Sequence, residues 1–277
     1  MMMGVCTMIG AIIGDIAGST YEFGSEKPAQ ATFFRKGSAI TDDSILTVAT
    51  ARALLELRAV GKSAADSRLY YKNHYLLYGR RYPHAGYGQS FKEWLSSPDP
   101  RPYGSYGNGS AMRVSPIGYA FPTLKETLRE AGKSAAVTHN HPDGIKGARA
   151  VAGAVFLAFH GGSKEDVRAF VENEIGYPLR FNLEKLHREY RFEIQCAKSV
   201  PQAVFAFLES GDFTGAVRNA LYIGGDSDTI SCIAGAIAGA YYKKIPEDII
   251  ESAMCFMDAE MKKTVKEFNE AFGVRFF

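Results

Sequence analysis

Cysteine is sparse in this chain and never paired by spacing: Cys6, Cys196, Cys232 and Cys255 stand apart, with no C-x-x-C among them. That disfavours a disulfide framework or a cysteine zinc site and suits a reducing cytosol. An excess of either charge is also missing, since 32 Lys+Arg face 30 Asp+Glu in 277 residues, for a formal net charge of +2. No basic surface is therefore expected for a nucleic-acid polymer or an anionic membrane. No uncharged apolar run reaches 18 residues, so no transmembrane helix is expected. The apolar stretch Met8 to Ala17 has no preceding Lys or Arg and holds Asp15, which reads as a core element and not a signal peptide. With 46% apolar residues the chain is not of a disordered class. A soluble cytoplasmic protein with a large core of its own is the expectation.

Strand-like alternation is scarce, whereas helical periodicity is common. It covers Ile45 to Val60 and Ile145 to Phe159, and further helices are expected at Ala64 to Leu77, Leu124 to Ala131, Glu165 to Glu174, Pro201 to Glu209, Thr214 to Tyr222, Ile230 to Tyr241 and Pro246 to Phe272. Gly10, Gly14 and Gly18 recur every four residues, as do Ser231, Gly235 and Gly239, so each set lines one helix face where two backbones can meet closely. The G-x-G-x-x-G spacing of a dinucleotide site is absent. Residues 78–109 are rich in Gly, Pro, Tyr and Arg without periodicity, and read as a long surface excursion. The fold class expected is all-α, a single domain over residues 1–277.

Chemistry collects where helices begin. Thr41-Asp42-Asp43-Ser44 precedes Ile45, and Gly225-Asp226-Ser227-Asp228-Thr229 precedes Ile230. Either cluster can serve as an N-cap, but a cap needs one such residue and these hold four carboxylates beside apolar helices. The alternative is an oxygen-only site for Mg²⁺ or Mn²⁺. A third element, Gly104-Ser105-Tyr106-Gly107-Asn108-Gly109-Ser110-Ala111-Met112-Arg113, is a glycine-rich run whose backbone can aim N–H groups at phosphate oxygens. In Thr138-His139-Asn140-His141-Pro142-Asp143 the H-x-H reads first as the opening of the Ile145 helix and only second as a metal pair.

Gly10-x-x-x-Gly14-Asp15-x-x-Gly18-Ser19-x-x-Glu22, Thr41-Asp42-Asp43-Ser44, Gly107-Asn108-Gly109-Ser110-Ala111-Met112-Arg113, Thr138-His139 and Gly225-Asp226-Ser227-Asp228-Thr229, in that order, resemble the ADP-ribosylglycohydrolase family. The resemblance implies an all-α domain with two Mg²⁺ or Mn²⁺ ions at the base of an ADP-ribose cleft. It implies that Thr41, Asp42 and Asp43 hold the metals from one side and Asp226, Asp228 and Thr229 from the other, four carboxylates matching four positive charges. Gly107, Asn108, Gly109 and Ser110 would follow the pyrophosphate and distal ribose. Ser105 and Tyr106 would line the same wall, and His139 would approach from the next loop. Glu22 resembles a family glutamate on a mobile loop, its plain alternative being a solvated acid.

The activity so implied is hydrolysis of a glycosidic bond at the distal ribose, removing ADP-ribose from an acceptor, with Asp42, Asp43 or Glu22 as the catalytic carboxylate. Residues 62–103 and 176–212 match no motif, so the linkage stays open between arginine, serine, nucleic acid and a small ester. Glu22 with Ser105-Tyr106 lies slightly nearer the serine-directed branch. A non-catalytic ADP-ribose binder or structural homologue, and a metal-dependent nucleotide phosphohydrolase, are the alternatives. Nothing in the residues sets the oligomeric state.

Overall fold

The computed structural model describes residues 8–22, 27–28, 31–61 and 67–274. Cys6 and residues 64–66 of the expected third helix lie outside them. The described residues form helices α1 (Ile9–Gly18), α2 (Asp42–Val60), α3 (Arg68–Arg81), α4 (Gln89–Ser96), α5 (Gly109–Met112), α6 (Ser115–Ala120), α7 (Leu124–Ala135), α8 (Pro142–Phe159), α9 (Lys164–Ala169), α10 (Leu183–Glu189), α11 (Cys196–Leu208), α12 (Phe213–Ile223), α13 (Ser227–Tyr242), α14 (Glu247–Phe256) and α15 (Ala259–Phe272). A π-helical turn at Phe170–Ile175 prolongs α9 until Gly176 ends it in the left-handed region. An isolated bridge between Gly107 and Gln195 is the one β-type pairing among the described residues. The fold is all-α, and among the described residues no helix is long and apolar enough to cross a membrane.

The two small-residue stripes meet as expected. A Cβ on Gly10 would stand 2.5 Å from the Gly235 carbonyl oxygen, one on Gly14 2.0 Å from that of Ser231, and one on Gly18 2.3 Å from that of Ser227. The pairing runs in opposite directions, so α1 and α13 are antiparallel, and every residue of α1 is buried. The C-terminal end of α1, with Asp15, is thereby delivered to the N-terminal end of α13, with Asp226 and Asp228. Around this pair pack α2, α8, α11 and α12, while α7 and α6 lie against α8.

Several boundaries differ from the periodicity, each for a local reason. The expected helix 246–272 is two, because Asp258 caps a new start, accepting from the Met261 N–H at 2.9 Å and from the Tyr82 hydroxyl at 2.6 Å. The expected start at Pro201 lies inside α11, which begins at Cys196. Within 78–109, read as loop excursion, the structure places the end of α3 and all of α4, whose Phe91, Trp94 and Leu95 are buried. The short α10 carries no periodic signal, since in about two turns Leu186 is its one buried residue.

Candidate functional site

At the start of α2, Thr41 is the capping residue: its hydroxyl accepts from the Asp43 N–H at 3.3 Å. That duty leaves the Asp42 and Asp43 carboxylates free of capping, at a helix N-terminus whose dipole favours negative charge. At the start of α13, Asp226 occupies the cap position but makes no side-chain cap bond. It accepts instead from the Asn108 side-chain amide at 2.6 Å. Gly224 and Gly225, at φ 73° and 83°, turn the chain into α13 through the left-handed region that only glycine enters cheaply. Capping therefore does not account for these carboxylates.

Asp15, a motif residue to which the resemblance assigns no role, organises this corner. Fully buried on α1, its two oxygens accept from the Thr41 hydroxyl at 2.6 Å, the Thr41 N–H at 3.0 Å, the Ser44 N–H at 3.1 Å and the Ser44 hydroxyl. Four hydrogen bonds fill the acceptor capacity of one carboxylate, so Asp15 pins residues 41–44 in place. A lone acid in an otherwise apolar helix was the signal that could have found it. Arg35 performs a similar service before Glu22, with its Nε donating to the Thr20 hydroxyl at 2.8 Å and its guanidinium 3.9 Å over the Tyr21 ring.

Asp43 is 1% exposed; one of its oxygens accepts from the Thr229 hydroxyl at 3.3 Å, and Oδ1 has no hydrogen-bond partner among the described residues. Oxygens of Asp15, Asp43 and Asp228 lie within 4.8 Å of one another, as do those of Glu22, Asp226 and Asp228. Asp228 thus belongs to two adjoining acidic groups. Burial, then the surrounding carboxylates, pushes the Asp42, Asp43 and Asp228 carboxyls well above the usual range. Burial raises Asp15 against the pull of its hydrogen bonds. The same causes lift Glu22 to about 8, and burial lifts Asp226 to about 6 although the Asn108 amide lowers it. Such a set is costly to ionise together without added positive charge.

A cleft of about 370 Å³ opens over these groups, and its lining includes Glu22, Asp42, Asp43, Asp226, Asp228 and Thr229. Ser105, Gly107, Asn108, Gly109 and His139 form the facing wall, and Tyr103, Phe91, Phe192 and Ile194 also contribute. Arg113 is the one Lys or Arg among the described lining residues. The glycine wall is held by strand-like contacts to the segment before α11: the Asn108 N–H donates to the Ile194 carbonyl at 2.7 Å and the Cys196 N–H to that of Tyr106 at 3.0 Å. Nothing in the sequence signalled Phe192 and Ile194, which lie in a stretch without motifs.

Three expected residues sit off the cleft wall. Thr41 is engaged by Asp15 and Asp43 behind the site. Ser110 is fully buried and its hydroxyl donates to the Gly144 carbonyl at 2.7 Å, fastening the loop to α8. Tyr106 is half exposed and lies edge-on to His141, ring centroids 5.4 Å apart, outside the lining. His141 caps α8 through an Nδ1 that accepts from the Asp143 N–H at 3.1 Å, with Pro142 at the first helical position, so the H-x-H is a helix opening as read.

A family model described as ADP-ribosylglycohydrolase matches residues 5–274. The chain is 28% identical over 336 residues to the ADP-ribosylhydrolase ARH3 of Mus musculus, an alignment that takes in 92% of this chain and 88% of that protein. It is 26% identical over 155 residues to the ADP-ribosylarginine hydrolase Tri1 of Pseudomonas putida (strain GB-1), covering 54% of this chain and 41% of the other. Among solved structures, a chain titled ADP-ribosylglycohydrolase-related protein complex shares the fold with a TM-score of 0.69 at 20% identity, over 95% of each chain.

Proposed function

We propose that this chain, which belongs to the ADP-ribosylglycohydrolase family, is a hydrolase that removes ADP-ribose from a modified acceptor by metal-assisted cleavage of the glycosidic bond at the distal ribose. The observation that carries the reading is the cleft floor. Among the described residues five carboxylates line it, and Asp43 Oδ1 is buried there without a partner. A diphosphate ligand carries negative charge itself, so it enters such a pocket only if cations are present to offset both. The donor set fits Mg²⁺ or Mn²⁺: all oxygen, two adjoining acidic groups, and Asp228 common to both. Asp42, Asp43, Asp226, Asp228 and the Thr229 hydroxyl would hold two such ions, with Asp15 full and acting through Thr41 and Ser44. When bound, divalent ions would balance the carboxylates and lower the pKa of a water for attack at the anomeric carbon.

The chain's own residues supply the rest. Asn108 orients Asp226, and Thr229 orients Asp43, so both carboxylates are set before ligand arrives. Gly109 keeps the wall thin at one point that matters, because a Cβ there would stand 3.1 Å from His139 Nε2. Cleavage builds oxocarbenium character on the ribose, and the set carboxylates and glycine wall orient the sugar for it. Glu22 is the half-buried member of the cleft lining, placed to hold and pass a proton at the ligand. Asp42 and Asp43 remain the alternatives for that role.

The test is release of ADP-ribose from an arginine-modified and a serine-modified peptide, each with Mg²⁺, Mn²⁺ or EDTA. The expected result is turnover on at least one peptide, abolished by EDTA and by Asp43→Asn. Binding of ADP-ribose with no cleavage of either would make the protein a binder, and full activity in EDTA would remove the metals from the mechanism.

A further inference from the structure

We infer that Thr47 and Cys232 are a pair of positioning residues: through the Met112 carbonyl they fasten the end of the glycine wall to both helices that carry the carboxylate floor, and so set the register of wall against floor. What that register serves rests on the proposed ADP-ribose reading. The fastening itself does not.

The need for it is written in the sequence. The wall ends in α5, and the carbonyl of its last residue, Met112, would ordinarily accept from the N–H four residues on. That residue is Pro116, which has no N–H. Two side chains donate instead, the Thr47 hydroxyl at 3.3 Å and the Cys232 thiol at 3.4 Å, and both residues are fully buried. Thr47 stands on α2 four residues after Asp43, and Cys232 on α13 four residues after Asp228. On each helix, therefore, the donor lies one turn on from the acid and on the same face. Thr47 reaches across to the wall, whereas Thr50 on the same helix falls back on its own Leu46 carbonyl at 2.9 Å.

A carbonyl has two lone pairs, and the two donors fill them. The Cys232 thiol also faces the Asp43 carboxyl, and its single proton serves one acceptor at a time. With Thr47 in place the carbonyl keeps a partner even while the thiol is turned to Asp43. Higher on the wall, the Asn108 N–H and the Ser110 hydroxyl bind the Ile194 and Gly144 carbonyls, off the floor helices, and the Asn108 amide reaches Asp226. Met112 adds the tie at the base, to α2 and α13 at once, and its Sδ lies 3.9 Å from the Thr229 hydroxyl. Deleting one donor leaves the carbonyl the other. Deleting both leaves a buried acceptor without a partner, which costs more than either bond supplied. The wall would then shift until water reaches that carbonyl, and a ligand would have to draw it back, which is read as lost affinity.

The experiment measures ADP-ribose binding by calorimetry and, in EDTA, amide hydrogen exchange over residues 109–112, on full-length protein. The variants are Thr47→Val, Cys232→Ala, the two combined, and Thr47→Ser with Cys232→Ser, which keeps both donors. Cys232→Val replaces Cys232→Ala in the combination if the cavity prevents folding. Each single change should raise the Kd by no more than about twofold and the combination by about tenfold or more, with faster exchange in the combination alone. The paired serines should stay within about twofold of wild type in Kd and match its exchange. Unchanged exchange in the combination overturns the fastening. Faster exchange with unchanged affinity overturns the register role. If Cys232→Ala adds nothing to Thr47→Val, the thiol belongs to Asp43 and the pair falls. If exchange is as expected but the wild type binds no ADP-ribose, the fastening stands and the proposed substrate falls.

Discussion

Replacing Asp226 by Asn should change stability in opposite directions with and without divalent cations. Asp226 is 5% exposed and its carboxyl is raised from the ordinary 3.8 to about 6, chiefly by burial. A group whose folded pKa lies above its unfolded value binds its proton more tightly in the folded state. Its stabilising contribution is present below about pH 4 and is lost as pH rises to about 6. Without cations, ionised Asp226 therefore costs the fold about 3 kcal/mol at neutral pH. At roughly 2 °C per kcal/mol in a chain this long, Asp226→Asn in EDTA should melt about 6 °C above wild type at pH 7 and at the wild-type temperature near pH 4. Comparing the two proteins in one buffer cancels titrations remote from Asp226, including the opposing one of buried His139, while relief of Asp228, whose carboxyl Asp226 helps to raise, adds in the same direction. In excess Mn²⁺ the order should reverse. A site held at about 1,000 times its Kd adds about 4.1 kcal/mol, more than the penalty of about 3 kcal/mol, and the variant forfeits most of that. Melting curves at pH 4 to 8, in EDTA and in Mn²⁺, make the comparison. A difference of the same sign in both conditions would refute the reasoning, because the carboxylate would then be a structural element and not a cation ligand.

Three further outcomes are expected. Asp42→Ala should mainly lower turnover, whereas Asn108→Ala should weaken both ADP-ribose and Mn²⁺ binding, the latter about tenfold or more because Asp226 loses its charged hydrogen bond; calorimetry beside turnover separates them. Gly14→Ala should cost about 3 kcal/mol or more in urea unfolding, since its Cβ would stand 2.0 Å from the Ser231 carbonyl oxygen. Gly211→Ala, which meets nothing within 4 Å, is the near-neutral control. Trp94→Ala should cost about 3–5 kcal/mol, showing that α4 is part of the packed core and not a detachable loop.

The legible part of this protein is what repeats or clusters along the chain. Period-3.6 apolar patterns marked most of the long helices, because a buried helix face must recur with the helix turn. Gly10, Gly14 and Gly18 announced a close helix contact, since small residues at every fourth position have no other common use. Paired acids before apolar helices marked Asp42, Asp43, Asp226 and Asp228, because one cap cannot use them all. Tertiary structure alone decided what depends on distant segments meeting. That Asp15 is saturated by Thr41 and Ser44, that Asn108 reaches Asp226, and that Phe192 and Ile194 close the cleft all require chain segments 26 to 118 residues apart to touch. It also decided which members of a motif face the cleft. Ser110 and Gly109 are neighbours in sequence, yet one hydroxyl is spent on Gly144 while the other residue lies against His139. Residue type says what a side chain can do; only the packing of α1 against α13, and of the glycine loop against residues 194–196, says which side it does it on.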